Sequence, residues 1–220
     1  MEMNKDFWLE RWQREEIGFH QSEVNAHLTR FWPEFNLASG AVVFVPLCGK
    51  SRDMQWLHDN GQKVIGVELS DIAVHAFFNE NGYTPQRVID GKFDRYEANG
   101  ICILHGDFFD LNRNQMSKVD VVYDRASLIA LPPQMRVGYV RHLVNILPLA
   151  TRMLLITLDY PQQEMEGPPF SVSSDEVVEL YRNNAEVHLL AHLDVLAQNA
   201  RFQQRGLSRL EENIFLLELH

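Results

Sequence analysis

The fold is decided by residues 41–69, which read AVVFVPLCGKSRDMQWLHDNGQKVIGVEL. Residues 41–45 form a continuous apolar run of strand length, which is typical of a strand buried on both faces of a sheet. A helix over 52–58 follows, with Ser51 as its N-terminal cap and Gly61 beyond its end. Residues 63–69 are a second apolar run. Strand, helix and strand in this order predict a βαβ unit with a parallel sheet.

The same alternation continues along the rest of the chain. Strands are predicted at 101–104, 119–123, 153–158, 187–195 and 214–219, and helices over 71–81, 132–147 and 175–183. The stretch 83–100 is expected to be less regular. Because 197–210 lacks a clear helical stripe, we expect a hairpin there and an antiparallel last strand. The prediction is an α/β, doubly wound, mostly parallel seven-stranded sheet with an antiparallel last strand, the arrangement of the class I methyltransferase fold.

Composition limits the class of protein. The 220 residues suit a single domain, 1–220, and the net charge of −10 disfavours a nucleic-acid partner. No apolar run approaches the ~20 residues of a membrane span, and the first residues do not read as a signal peptide. Cys48 and Cys102 are too few for a disulfide framework, so they are expected to be reduced thiols. We therefore expect a cytoplasmic protein with no membrane partner, and a monomer.

The ligand site of such a sheet lies beyond the carboxyl ends of the strands. After the first strand, Gly49 lacks a Cβ and lets a ligand approach the backbone. Gly-Lys-Ser here resembles part of a Walker A loop, but the position five residues before Gly49 is Phe44, so an ATPase is rejected. Glu68 follows the second strand, 19 residues beyond Gly49, where a carboxylate can bind a ribose. The alternative for Glu68 is an exposed strand-end acid.

The third and fourth strands also end in candidate residues. Asp107 and Phe108 are placed to bond and stack on an adenine, or else they cap a turn and fill the core. Arg125 is placed to hold a carboxylate or an anionic substrate, and the alternative is a surface pair with Asp124. These features point to a nucleoside ligand without separating NAD from S-adenosylmethionine.

Other chemistries receive less support from the sequence. His188 and His192 lie in one predicted strand, on one face about 13 Å apart, which is too far for one metal ion, and no metal is expected. The nucleophile pattern Gly-x-Ser-x-Gly is absent. Cys48 has no evident base beside it. No general base is assigned.

Five motifs together resemble the thiopurine S-methyltransferases, in their bacterial branch. They are FWLERW (7–12) with GFHQ (18–21), FVPLCGK (44–50), VIGVELS (64–70), YDRASL (123–128) and GPPF (167–170). The resemblance covers nearly the whole chain in order. Val45-Pro46 stands where generic methyltransferases carry an acid before the glycine loop, and this agrees with the family.

The resemblance implies an S-adenosylmethionine-dependent methyltransferase acting on a small-molecule thiol substrate. It implies cofactor contacts at Trp8, Trp12, Leu47, Glu68, Asp107, Phe108 and Arg125. It also implies substrate contacts at Phe19, Pro168, Pro169 and Arg201.

The catalytic role expected from the chemistry is charge stabilisation by Arg125, which favours a bound thiolate. Residues 1–20 are expected to form a helical lid, since Trp8 and Trp12 share a helical face and Phe7 pairs with Arg11 beside them. The alternative for this segment is a fixed structural helix. Two other functions stay open: an NAD-binding oxidoreductase, and a non-catalytic nucleoside-binding sensor on the same scaffold.

Overall fold

A computed structural model describes residues 5–220, which divide into two compact units, one ending at Val122 and one beginning at Tyr123. The helices of the first unit are α1 (Lys5–Gln13), α2 (Ala26–Phe31), α3 (Arg52–Asp59), α4 (Asp71–Glu80) and α5 (Arg113–Met116). Its strands are β1 (Val42–Val45), β2 (Lys63–Glu68), β3 (Gln86–Asp90), β4 (Phe93–Ala98), β5 (Ile101–His105) and the start of β6 (Val121–Arg125).

The centre of this unit is the parallel sheet expected from residues 41–69. Strand β1 pairs in parallel with β2 on one side and with β6 on the other, and β2 pairs in parallel with β5. Val43, Val64 and Val121 are paired neighbours and are almost fully buried. These strands are covered on both faces of the sheet, which explains why their sequences are continuous apolar runs and do not alternate with polar residues.

Strands β3 and β4 were not expected from the sequence. They form an antiparallel hairpin, and β4 continues the sheet by pairing antiparallel with β5. The hairpin turns at Gly91, whose φ of +63° favours glycine. Its outer strand is largely exposed and mixes charged with apolar side chains, so it lacks the apolar pattern that identified the buried strands. The described residues therefore contain nine strands instead of seven.

Short polar caps fix where the helices of the first unit begin. The Ser51 hydroxyl accepts a hydrogen bond from the Asp53 backbone at the start of α3, as expected, and Ser70 caps α4 in the same way. Asn25 caps α2, and its own N–H donates to the buried Asp53 carboxylate over 2.8 Å. Asp53 consequently joins α2 to α3.

The second unit contains strands β7 (Arg152–Asp159), β8 (Ala185–Asp194) and β9 (Glu211–Leu219) with helices α6 (Pro133–Ile146), α7 (Ser174–Tyr181) and α8 (Ala200–Gln204). Strand β9 pairs antiparallel with both β7 and β8, which confirms the antiparallel last strand. The connection between β8 and β9 carries α8, although the sequence there shows no clear helical stripe.

The expected arrangement of His188 and His192 is wrong. A register shift lies between Leu189 and Ala191, so His188 pairs with Leu216 and His192 pairs with Asn213. Positions three apart on β9 face opposite sides of the sheet, and the two histidines therefore do so too. Among residues 5–220, no group of three or more His, Cys, Asp and Glu residues is placed to hold a metal ion.

None of the helices between Lys5 and His220 is both long enough and apolar enough to cross a membrane.

Gly66 in β2 is a position where packing tolerates no side chain. A Cβ there would lie 2.6 Å from Cys48 Sγ and 3.3 Å from Met54 Sδ. We expect Gly66→Ala to lower the free energy of unfolding by about 1–3 kcal/mol, the usual cost of overpacking, as measured by urea unfolding.

The clash with Cys48 can be tested by a double substitution. Cys48→Ala removes the sulfur and should recover most of the loss in the double variant. Gly138→Ala is the control, since a Cβ at this helical glycine meets nothing within 4 Å and should stabilise by about 0.5–1 kcal/mol. Equal stability of Gly66→Ala and the wild type would contradict this account of the packing.

Candidate functional site

The site in the first unit is organised around the Glu68 carboxylate at the carboxyl end of β2. Glu68 is 6% exposed, and its Oε2 accepts a hydrogen bond from the Gly49 backbone over 2.8 Å. Its Oε1 accepts one from the Ser70 backbone over 2.7 Å. The Glu68 carbonyl also accepts from the Gly106 backbone, after β5. Glu68 thus joins the turns that follow three parallel strands, and the exposed-acid interpretation is wrong.

Burial raises the pKa of Glu68, while the backbone hydrogen bonds from Ser70 and Gly49 lower it and so oppose that rise. Each carboxylate oxygen has lone pairs left after accepting one amide hydrogen bond. Glu68 can therefore accept further hydrogen bonds from hydroxyl groups.

The turn after β1 has an unusual backbone. Leu47 has a φ of +44° and Gly49 a φ of +54°, and the Cys48 backbone donates to the Val67 carbonyl over 3.0 Å. The Cys48 thiol is buried, and burial raises its pKa well above its ordinary value, with a further rise from the charge of Glu68. A thiol of this kind is a poor nucleophile, which argues against the role considered for Cys48.

Aromatic side chains of the N-terminal segment cover this turn. A Cβ built on Gly49 would lie 3.3 Å from Cζ2 of Trp12, which is 6% exposed. Phe19 contacts both Trp8 and Trp12 edge to face, with ring centroids 5.7 and 5.6 Å apart. The guanidinium of Arg11 lies 4.5 Å from the Phe7 ring centre, as the helical spacing predicted. Of the predicted segment 1–20, residues 1–4 lie outside the described residues.

The turn after β5 brings in Asp107 and Phe108. The Asp107 carboxylate accepts from the Phe109 backbone over 2.9 Å, as a turn cap does, and Phe108 is buried. Asp107 also pairs with Lys5 of α1, at 2.5 Å between Nζ and Oδ2. This ion pair was missed by the sequence analysis, because nothing in the order of residues relates Lys5 to the third parallel strand.

In the second unit, Arg125 is the last residue of β6 and is half-buried. Its neighbour Asp124 is fully buried and accepts a hydrogen bond from the Tyr139 hydroxyl over 2.7 Å. The alternative of a surface pair between Asp124 and Arg125 is therefore wrong.

The remaining predicted substrate residues also lie in the second unit. Pro168 and Pro169 are half-buried and follow cis peptide bonds, in the loop between β7 and α7. The carbonyl of Pro169 accepts from the Tyr160 hydroxyl over 2.6 Å, which fixes this loop to the end of β7. Arg201 lies in α8 and is exposed.

The chain is similar to known proteins over nearly its whole length. Residues 3–220 match the family model for thiopurine S-methyltransferase. The chain belongs to the thiopurine S-methyltransferase family. A thiopurine S-methyltransferase of Nitrosospira multiformis is 60% identical over 215 residues, which cover 98% of each chain. One from Azotobacter vinelandii is 49% identical over 216 residues, 98% of this chain and 99% of the relative.

Solved structures with little sequence identity share the fold of this thiopurine S-methyltransferase family member. A Burkholderia thailandensis 1,6-didemethyltoxoflavin-N1-methyltransferase with bound S-adenosylhomocysteine has a TM-score of 0.67 at 13% identity, covering 98% of this chain and 86% of its own. A methyltransferase from Anabaena variabilis has a TM-score of 0.65 at 15% identity, with 100% and 96% covered. The class I methyltransferase fold is confirmed.

The donor set in the first unit suits the cofactor of this family, S-adenosylmethionine. Glu68 retains acceptor capacity for ribose hydroxyls. The absence of a Cβ on Gly49 lets the ring of Trp12 approach the backbone of the turn closely. Phe108 offers an aromatic ring at the turn after β5. Asp107 caps the turn and Phe108 is buried, as the alternative for these two residues predicted.

Replacing the buried carboxylate tests this site directly. Glu68→Gln keeps the volume but removes the charge and one acceptor, so we expect weaker binding of S-adenosylhomocysteine by about 1.5–3 kcal/mol, the usual contribution of a hydrogen bond to a charged group. Titration calorimetry measures the affinity, and thermal unfolding checks that the variant is folded. An unchanged affinity in the folded variant would exclude Glu68 as a cofactor ligand.

Proposed function

We propose that this protein transfers the methyl group of S-adenosylmethionine to the sulfur of small aromatic or heterocyclic thiols, including thiopurines. The observation that carries the proposal is the buried Glu68 carboxylate, which links the turns after three parallel strands. Its support is membership of the thiopurine S-methyltransferase family, with a curated relative of that name at 60% identity. Selenium or tellurium compounds are proposed as further acceptors.

Each proposed cofactor contact follows from where its residue lies. The cofactor supplies a methyl group that its sulfonium already activates. Glu68 accepts hydrogen bonds from the ribose hydroxyls, and Asp107 with Phe108 binds the adenine. Trp8, Trp12 and the Leu47–Gly49 turn enclose the rest of the cofactor with apolar surface and backbone amides. The contribution of the protein is then mainly to hold the reacting pair in line.

The substrate residues are proposed to favour an anionic sulfur. An aromatic thiol is acidic enough to bind as its thiolate, so no general base is required. Arg125 provides a positive charge for an anionic group, and Arg201 provides another. Phe19, Pro168 and Pro169 offer apolar surface, which excludes water from a reacting sulfur.

Two alternatives differ from this proposal in what they require. An NAD-binding oxidoreductase requires a catalytic Tyr/Lys or His set, which the sequence does not supply. A non-catalytic sensor would bind the cofactor without turnover. We further propose a cytoplasmic location, because Cys48 and Cys102 are free and buried and suit a reducing compartment. A monomer is proposed as the assembly state.

Ligand binding and turnover separate these functions. We expect S-adenosylmethionine and S-adenosylhomocysteine to bind, and NAD and ATP not to bind, in side-by-side calorimetry. Labelled methyl donor should then transfer its methyl group to a small aromatic thiol. Arg125→Ala should reduce turnover far more than it reduces the melting temperature. Tight NAD binding without a response to S-adenosylmethionine would contradict the proposal, and cofactor binding without transfer would favour the sensor.

We propose that residues 1–20 act as a lid on the cofactor in an otherwise single domain, 1–220. Its described part makes two kinds of contact with the predicted cofactor residues: Trp12 packs on Gly49, and Lys5 pairs with Asp107. Terminal segments are usually the least stable parts of a fold, so their opening costs little global stability. Closure over the cofactor would exclude water.

The lid proposal predicts ligand-dependent protection. We expect S-adenosylhomocysteine to slow proteolysis within residues 1–20 and to change tryptophan fluorescence. Lys5→Ala should increase cleavage of the free protein, since it removes the ion pair with Asp107. The control is Arg14→Ala, which removes only an exposed pair with Glu10 in the same segment. Equal protection with and without ligand would identify a fixed helix.

A further inference from the structure

A buried carboxylate at the end of β6 has no function in the mechanism above. Asp124 is 0% exposed, and its Oδ1 has no hydrogen-bond partner among the described residues. Burial of a charged group with one oxygen unpaired is unfavourable, and an apolar residue would serve packing better. A buried polar atom of this kind therefore calls for an explanation beyond packing.

The other oxygen of Asp124 connects β6 to α6. The Tyr139 hydroxyl donates to Oδ2 over 2.7 Å, and Tyr139 is itself 0% exposed. Hydrogen bonds to an ionised carboxylate are about twice as strong as those between neutral groups. The orientation of the strand end thus depends on the charge of Asp124.

The backbone that follows Asp124 needs such an anchor. Arg125 ends β6, and Ala126 adopts a left-handed conformation with a φ of +67°, which is unfavourable for a residue with a Cβ. The buried Ser127 and a 3₁₀ turn over Leu128–Ala130 come next. Strain of this kind persists only where the surroundings hold the chain in place.

We propose that Asp124, anchored by Tyr139, is a positioning residue whose ionised carboxylate fixes the turn that presents Arg125 to an anionic group of the cofactor. The inference rests on the proposed function, in which Arg125 binds such a group. In this proposal the charge of Asp124 positions Arg125, and Tyr139 acts together with Asp124.

This arrangement predicts that cofactor affinity depends on pH in the acid range, where Asp124 titrates. Burial raises the pKa of Asp124 from 3.8 to about 6, against hydrogen bonds that lower it, from the hydroxyls of Tyr139 and Ser127 and the backbone amides of Leu128 and Ser127. The titratable groups facing Asp124 are the phenols of Tyr139 from α6 and Tyr181 from α7, and burial raises the pKa of both well above 10.0. Neither phenol titrates near neutral pH. Arg136 of α6 pairs with Glu176 of α7, at 2.6 Å.

The sign of the pH effect separates a positioning role from a structural one. The folded pKa of Asp124 lies above its ordinary value, so the folded state binds more protons between 3.8 and about 6. Acidification through this range therefore stabilises the fold through this group. Protonation also weakens the charge-assisted bond from Tyr139. On acidification, cofactor affinity should consequently fall, while the contribution of Asp124 to the free energy of unfolding rises.

The test is calorimetric binding of S-adenosylhomocysteine across the acid and neutral range, with thermal unfolding alongside. Asp124→Asn should weaken binding about tenfold when Asp124 of the wild type is ionised, abolish the acid decrease and leave the melting temperature unchanged or higher. Tyr139→Phe removes one of the donors that lower the pKa of Asp124 and should move the acid decrease to higher pH. Tyr181→Phe is the matched control and should leave the profile unchanged, because the Tyr181 hydroxyl has no partner among residues 5–220.

The outcomes distinguish failure of the positioning role from failure of the proposed function. Asp124→Asn with wild-type affinity and wild-type pH dependence would overturn the positioning role, as would a Tyr139→Phe profile that coincides with that of Tyr181→Phe. If Asp124→Asn fails to fold, the Tyr139→Phe profile alone decides. A wild type that does not bind S-adenosylhomocysteine at any pH would contradict the proposed function instead.

Discussion

The buried carboxylate of Glu68 is the interaction on which the first unit depends. Parallel strands end in turns whose backbone amides have no partner within the sheet, and buried amides without partners are costly. Glu68 accepts from Gly49 and Ser70, and its carbonyl accepts from Gly106. One residue thereby satisfies amides after β1, β2 and β5. The same geometry holds its oxygens at the carboxyl edge of the sheet, so the side chain that satisfies these amides is also the one proposed to bind the ribose.

Buried acids serve different purposes in the two units. Asp53, in the first turn of α3, accepts from the Asn25 backbone and joins α2 to α3, which is a structural role. Glu68 has both oxygens paired and lies at the strand ends. Asp124 has one oxygen paired with Tyr139 and one without a partner. Of these three acids, Asp124 is the one with an unpaired oxygen, and it is next to Arg125, which is proposed to bind a ligand.

The sequence predicts the parallel strands well because double-sided burial leaves continuous apolar runs such as residues 41–45. It also predicts Ser51 as a cap, because capping depends on residues close in sequence. The hairpin of β3 and β4 was missed, since an exposed edge strand has no such run. The opposite faces of His188 and His192 depend on a bulge that alternation cannot reveal. Burial of Asp124 and the pairing of Lys5 with Asp107 depend on contacts between distant segments, which one sequence does not encode locally.

The location of α1 ties the N-terminal segment to two of these three turns. Trp12 packs on Gly49, whose amide is held by Glu68, and Lys5 pairs with Asp107 after β5. The aromatic contacts of Phe19 with Trp8 and Trp12 extend this cover without adding charge. The ion pair of the exposed Lys5 with Asp107 contributes little to stability, because exposed pairs are screened by solvent. The lid proposed above would therefore be held to the first unit mainly by the apolar packing of Trp12, which a bound ligand can extend.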